Sequence, residues 1–270
     1  MDLVTAIQFV ASQICQVSNK RWQLDIAADL VQTGRVSDVE RWYTRFLDQF
    51  ITYWRLRSSA VDPGWTAVTA YYCAFFGAQT FLSMLGLGAR TMPALGLLPS
   101  GLYQISEAAS PYSGHVRLNL HRRASGAHRA LWRQLSVVLD TLISLPGNDL
   151  TATHVLQSWR QIIIGPPGLS EMRNEVNYSI EFSPREFGAW STEFSACHSV
   201  TQLERRLEVT VPSHPAQRFE LVALGAASLS MALYDDYLDR GTRLDLRPSL
   251  QRREKISRAG EEHPARSWFR

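Results

Sequence analysis

Lysine is nearly absent from this sequence: of its 28 basic residues only Lys20 and Lys255 are lysines, and the rest are arginines. Arginine suits bidentate phosphate contacts, although an arginine-rich composition also follows from a GC-rich genome. Cysteine is scarce. Cys15, Cys73 and Cys197 stand apart with no Cys-x-x-Cys spacing, which argues against a disulfide framework or a zinc ribbon and fits a reducing cytoplasm. No charged N-terminal region leads into a compact apolar run, so no secretory signal is expected. Gly-x-Gly-x-x-Gly and the phosphate-loop pattern are missing, as are Gly-x-Ser-x-Gly and His-Glu-x-x-His; dinucleotide, nucleotide, serine-hydrolase and zincin chemistries lose their usual signatures. No cofactor or metal is expected. No internal repeat is visible. Charge is missing from residues 63–89. That length can span a bilayer. It carries Thr66, Thr69, Gln79, Thr80, Ser83 and two adjacent tyrosines, however, and no basic cluster flanks it closely. A central helix buried in protein is the expectation, with no membrane partner.

What is present is mostly helical periodicity. Hydrophobic residues make up 45% of the chain, too many for a disordered protein. Formal net charge is +3 and uneven: residues 241–270 hold eight basic residues against four acidic ones. The remainder is close to neutral, so composition alone does not make this a nucleic-acid binder. Residues 2–18 and 20–33 show apolar residues at helical spacing, ending at Gly34. Ser37-Asp38-Val39-Glu40 has the form of a capping box. Val39, Trp42, Tyr43, Phe46, Phe50 and Trp54 then draw one apolar stripe to about Arg57. Asp62-Pro63 opens the next helix, which runs to Gly86 and is apolar nearly all round, as a helix surrounded by others should be. Residues 87–124 are rich in Gly and Pro, with a short alternation at 116–120 that suits a strand or an extended loop. Further helices are predicted over about 125–144, 150–163, from 168 through the motif below, from Ser183 to about Leu207, and over 216–240. The tail from Gly241 is polar, basic and without period, and is expected to be extended. Strand signal is thin. The predicted fold class is therefore all-α, a helical bundle with an irregular insertion at about 91–147. Its organisation is 1–35 N-terminal helices, 36–240 the main helical domain and 241–270 a basic tail.

The run Arg173-Asn174-Glu175-Val176-Asn177-Tyr178 carries the most chemistry. At about 100° per residue, Asn177 lies about 40°, Asn174 about 100° and Tyr178 about 140° from Arg173. Leu169, Val176 and Met172 fall on the other side. A guanidinium, two amides and a phenol therefore line the rim of an apolar face, a fork of donors that fits a phosphate. The same strip also suits a hydrogen-bond network between helices with no ligand.

The segment Glu171 to Tyr178 resembles the motif of the HEPN superfamily, an Arg-Asn pair with a histidine or tyrosine five residues after the arginine; these are all-helical domains rich in RNases of bacterial defence and toxin systems. Residues 70–78, Ala-Tyr-Tyr-Cys-Ala-Phe-Phe-Gly-Ala, resemble the aromatic helix that packs beside that motif. The likeness covers about residues 36–90 and 148–240. It implies a metal-independent endoribonuclease or RNA-binding protein of a phage-defence or toxin system. The expected site is Arg173 on the scissile phosphate, Asn174 orienting it and Tyr178 beside them, in a homodimer or with a partner protein of the same system. Tyr178 departs from the RNase pattern, which has histidine there. An unperturbed tyrosine is only about one part in a thousand ionised at pH 7, a poor general base, though it still donates a hydrogen bond or stacks on a base. That departure moves weight toward a silent helical scaffold, the alternative function.

Arg122, Arg123, Arg129 and Arg133, with Asn177, are candidate RNA contacts beside the motif; the solvated face of an insertion reads the same way. His128 and Trp132 are four residues apart, which places the imidazole on the indole. His154 and His198 are isolated on apolar-periodic helices.

Overall fold

The computed structural model describes residues 1–59, 63–124, 126–145, 150–166, 168–178 and, further on, 218–219, 221–223 and 225. The chain opens with helix α1 (Leu3–Phe9), a single 3-10 turn, and the strands β1 (Cys15–Ser18) and β2 (Arg21–Ala27). Two long helices follow, α2 (Ala28–Ser59) and α3 (Pro63–Met84). Strands β3 (Gly88–Met92), β4 (Gly101–Ala109) and β5 (His115–Arg122) come next, then helices α4 (Ala127–Ile143), α5 (Leu150–Ile164) and α6 (Leu169–Tyr178).

The fold is mixed α/β, which corrects the all-helical expectation. The five strands form one antiparallel sheet in the order β1-β2-β5-β4-β3. Residues 20–33 contain β2, where Trp22, Leu24 and Ile26 are buried and the residues between them are not. That is the two-residue period of a half-buried strand. Residues 2–18, also given helical spacing, hold α1 but end in β1, and the Gly- and Pro-rich stretch 87–124 supplies β3, β4 and β5. Tyr103 and Ile105 of β4 and Leu118 and Leu120 of β5 turn inward the same way. This inner face packs on Leu3, Ala6 and Ile7 of α1 and Val31 of α2. The outer face is polar and held by cross-strand pairs: Gln23 Nε2 donates to Asn119 Oδ1 at 2.7 Å, and Arg117 grips Asp25 with two nitrogens. The carboxyl of Asp25 is accordingly held below its usual range, chiefly by the Arg117 hydrogen bond.

A second core joins α2, α3, α4, α5 and α6 with Phe219 and Val222. It is dense in aromatic rings: Tyr43, Phe46, Phe50 and Tyr53 of α2 meet Tyr71, Phe75 and Phe81 of α3. α3 carries no charge and is buried along most of its length, with Trp65 exposed at its start and Tyr72 and Phe76 half-buried on one side. Its threonines bond back to their own helix, Thr69 Oγ1 to the Trp65 carbonyl and Thr80 Oγ1 to that of Phe76. Among the described residues no helix is long and apolar enough to cross a membrane. The end of α3 is a Schellman cap: Gly86 takes φ 70°, its N–H donates to Ser83 O, and Leu87 N–H reaches Leu82 O at 2.7 Å.

The capping box at Ser37–Glu40 does not start a helix, because α2 runs unbroken from Ala28 through it. Asp38 is instead fully buried and faces the sheet. Arg90 of β3 donates to it from Nε at 2.9 Å and spends another nitrogen on Ser83 Oγ, while Arg41 donates to its second oxygen. This cluster ties the two cores together. Nor does Gly34 end a helix. It lies inside α2 because α1 crosses there: a Cβ at Gly34 would stand 2.7 Å from Leu3 Cα. In an open helix Gly→Ala gains about 1 kcal/mol. Here the backbone of α1 must move, so Gly34→Ala should destabilise by about 1–3 kcal/mol, and a urea melt reads the sign directly.

The predicted helices over about 125–144 and 150–163 correspond to α4 and α5, and the motif helix to α6. The second capping box at 183–186, its helix and the basic tail lie outside the described residues. Of the helix predicted over 216–240 only the few residues named above are described, and they are helical. Arg218 is among them: its buried guanidinium caps the end of α5, with Nη2 donating to the carbonyls of Ile162 and Gly165.

Candidate functional site

Adjacent residues of a helix point about 100° apart, so Tyr71 and Tyr72 divide their work. Tyr71 faces into the core and is fully buried, while Tyr72 stays half-buried at the surface of α3. α6 packs alongside, with Leu169 and Met172 buried on its inner face. That seats the polar strip of α6 at the seam with α3. Arg173 lies there, half-buried. Its Nη2 donates to Tyr72 Oη at 2.7 Å, its Nη1 donates to Asn174 Oδ1 at 2.9 Å, and the guanidinium carbon sits 5.7 Å from the Tyr72 ring centre. Hydrogen bond and cation–π contact together fix the arginine on the phenol. The ladder continues across the surface: Tyr72 stacks on Phe76, Phe76 on Trp42 of α2, and the guanidinium of Arg45 covers Trp42.

Beneath this surface layer is a second polar group. The Tyr71 hydroxyl lies 2.8 Å from Nδ1 of His128, in the first turn of α4, and accepts a hydrogen bond from Trp132 Nε1 at 3.3 Å. The imidazole packs against Phe75 with ring centres 4.3 Å apart. Burial pushes the Tyr71 hydroxyl up to about 12, so it remains protonated near neutrality. Burial, and then the charge of Arg173, hold His128 below its usual range. Neutral His128 therefore lies beside a permanent cation.

The predicted site residues separate as follows. Arg173 and Asn174 are brought together with the aromatic helix, Asn174 exposed. Asn177 and Tyr178 belong to α6, but their side chains lie outside the described residues. Arg122 ends β5 and Arg123 follows it, both exposed: Arg122 Nη2 donates to the Ser100 carbonyl across Gly101, and Arg123 donates its backbone N–H to Leu102 O. With Lys20 and Arg21 next to them in the sheet they make a basic sheet end. Burial, and then the charges of Arg123, Arg21 and Lys20, depress the pKa of His121. Arg129 and Arg133 are exposed on α4. They line a groove of about 340 Å³ with Trp132, Ile163, Ser170 and Glu171, and Arg129 is 3.7 Å from Glu171. His154 is exposed on α5 and His198 is not described.

His128 is the residue that sequence reasoning placed wrongly. The four-residue spacing to Trp132 put it on the indole, whereas its ring lies on Phe75 and its nitrogen on Tyr71. Nothing local in the sequence signals a bond 57 residues away. Among the described residues no three His, Cys, Asp or Glu side chains converge as metal ligands.

No protein-family model, curated protein or solved structure matches this chain.

Proposed function

We propose that this chain is a divergent HEPN-like protein that binds RNA through a phosphate at the seam of α3 and α6, with Arg173 as the principal contact. The observation that carries the reading is the placement of Arg173 on Tyr72: the motif arginine and the aromatic helix, a hundred residues apart in sequence, share one hydrogen bond. A guanidinium held this way is oriented before ligand arrives, which lowers the entropic cost of binding. Asn174, Asn177 and Tyr178 extend the donor set along α6. Arg129 and Arg133 beside α6, and Arg122 and Arg123 at the sheet end, supply charge for neighbouring phosphates. The setting we propose is a cytoplasmic phage-defence or toxin system, with a second copy of the chain or a partner protein completing the assembly.

The test is the salt dependence of binding to a labelled single-stranded RNA oligonucleotide. Each phosphate neutralised on a single strand contributes about 0.7 to the slope of log K against log salt. Arg173→Ala should weaken binding about tenfold or more and reduce that slope by about one contact. Arg122→Ala with Arg123→Ala should reduce it further. An Arg173→Ala protein that binds like the wild type would refute the reading.

A catalytically silent scaffold is the second reading. It is favoured by the engagement of both Arg173 terminal nitrogens within the chain, by Tyr72 and Asn174, as a purely structural arginine would be. The scaffold predicts no RNA binding in the same experiment.

A further inference from the structure

We propose that His128 belongs to the Arg173 site as a fixed, neutral hydrogen-bond donor: Tyr71 locks its tautomer, so that Nε2–H is offered to the same phosphate that Arg173 binds. The inference rests on the RNA reading above and adds to it a residue, from a third helix, that the motif does not contain.

The lock follows from counting protons. The Tyr71 hydroxyl is fully buried, so water does not satisfy it. It has two polar neighbours, Trp132 Nε1 and His128 Nδ1. An indole N–H only donates. The phenol must therefore accept from Trp132 and send its own proton to His128. Nδ1 is then the acceptor, and a neutral imidazole that accepts at Nδ1 carries its proton on Nε2. Protonating Nδ1 would turn that contact into two donors facing one oxygen and leave the phenol proton buried without an acceptor, at about 1–3 kcal/mol. The charged and titratable groups that face His128 agree with this. Among the described residues they are the Tyr71 hydroxyl and the Tyr72 ring of α3 and the guanidinium of Arg173 on α6. No carboxylate among them favours an imidazolium. The position in the first turn of α4, where the helix amides point their positive ends outward, also disfavours one.

The geometry then assigns the open side of the ring. Nδ1 is taken on the core side by Tyr71, one face is covered by Phe75, and the side chain is only half-buried. Nε2 lies across Cε1 from the occupied nitrogen. The Tyr72 ring touches both groups, 6.3 Å from the imidazole and 5.7 Å from the Arg173 guanidinium carbon, so a donor at Nε2 increases the number of hydrogen bonds to an anion bound there without adding a second charge.

That distinction gives the test. In protein labelled with 15N at histidine, the ring nitrogens of His128 should show an unprotonated Nδ1 and a protonated Nε2 throughout pH 5.5–8. Removing the phenol proton with Tyr71→Phe, a change of one atom, should release the lock and let His128 titrate within that range. His128→Leu should weaken binding of the single-stranded RNA oligonucleotide about tenfold, as loss of a hydrogen bond to a charged group does, yet leave the salt slope at its wild-type value. Arg173→Ala should lower both. Three results overturn the inference while the RNA reading stands: a His128→Leu protein that is folded by thermal melt and binds as tightly as wild type, a fall in its salt slope equal to that of Arg173→Ala, or a wild-type spectrum with Nδ1 protonated. Wild-type protein that binds no RNA at any salt concentration removes the RNA reading and this inference with it.

Discussion

Replacing Asp38 with alanine should cost about 3–5 kcal/mol of folding stability, the range for removing one partner of a buried ion pair. Asp38 and Arg90 are both buried, and their bond is 2.9 Å. The alanine variant leaves the Arg90 guanidinium inside the protein with only Ser83 Oγ and its neighbour's carbonyl as acceptors. Desolvation of that charge is then uncompensated. Arg41, largely exposed, also loses a partner, but a surface pair contributes little. The double variant Asp38→Leu with Arg90→Met should be far less damaging than Asp38→Ala alone, because it removes the stranded charge. Chemical denaturation of the three proteins decides it. An Asp38→Ala variant within 1 kcal/mol of wild type would show that this cluster does not couple the sheet to the bundle.

The same cluster shows why part of the fold was not legible in the sequence. Ser37-Asp38-Val39-Glu40 has every local mark of a helix start, and only the presence of Arg90, 52 residues later, makes Asp38 an interior residue. β2 was hidden for a related reason. Trp22, Ile26 and Leu30 recur every four residues and satisfy a helix, while Trp22, Leu24 and Ile26 alternate and satisfy a strand. The choice belongs to β5, which pairs with β2 across a long separation, Gln23 with Asn119 being 96 residues apart. By contrast α3, α4, α5 and α6 carry their own punctuation: Pro63 at a start, Gly86 at an end, and the Gly-Pro-Pro-Gly run between α5 and α6.

The site divides along the same line. Placing Arg173 at the rim of the apolar face needs only the helical period, and its meeting with Tyr72 follows from pairing the motif with the aromatic helix. His128 needs three helices to be positioned at once. Its Tyr71 partner was visible only as one of two tyrosines, and which of the two turns inward is set by the packing of Trp132 and Phe219 against it.

If the chain cleaves RNA, as the endoribonuclease side of the HEPN resemblance implies, Arg173→Ala should slow that cleavage by ~10²-fold or more, the usual loss on removing a donor to charge that develops in the transition state. The reaction that resemblance implies is attack of a ribose 2′-OH on the adjacent phosphate. The new O–P bond forms as the P–O bond to the next nucleotide breaks, and the leaving oxygen takes a proton. The products should therefore be a 2′,3′-cyclic or 3′ phosphate and a 5′ hydroxyl, and cleavage should survive EDTA because the developing charge is met by Arg173. Tyr178 decides how fast this runs. A phenol near its ordinary pKa of about 10 is a weak base at neutral pH, so the wild-type rate should be low. Tyr178→His restores an imidazole at the motif position and should raise it, whereas Tyr178→Phe should slow cleavage only if the hydroxyl donates. Gel analysis of end-labelled RNA with wild-type, Arg173→Ala, Tyr178→Phe and Tyr178→His proteins separates these outcomes. RNA left intact by both the wild type and Tyr178→His, in the presence of the proteins encoded beside it, would overturn cleavage and leave RNA binding and the scaffold, which the binding experiment separates.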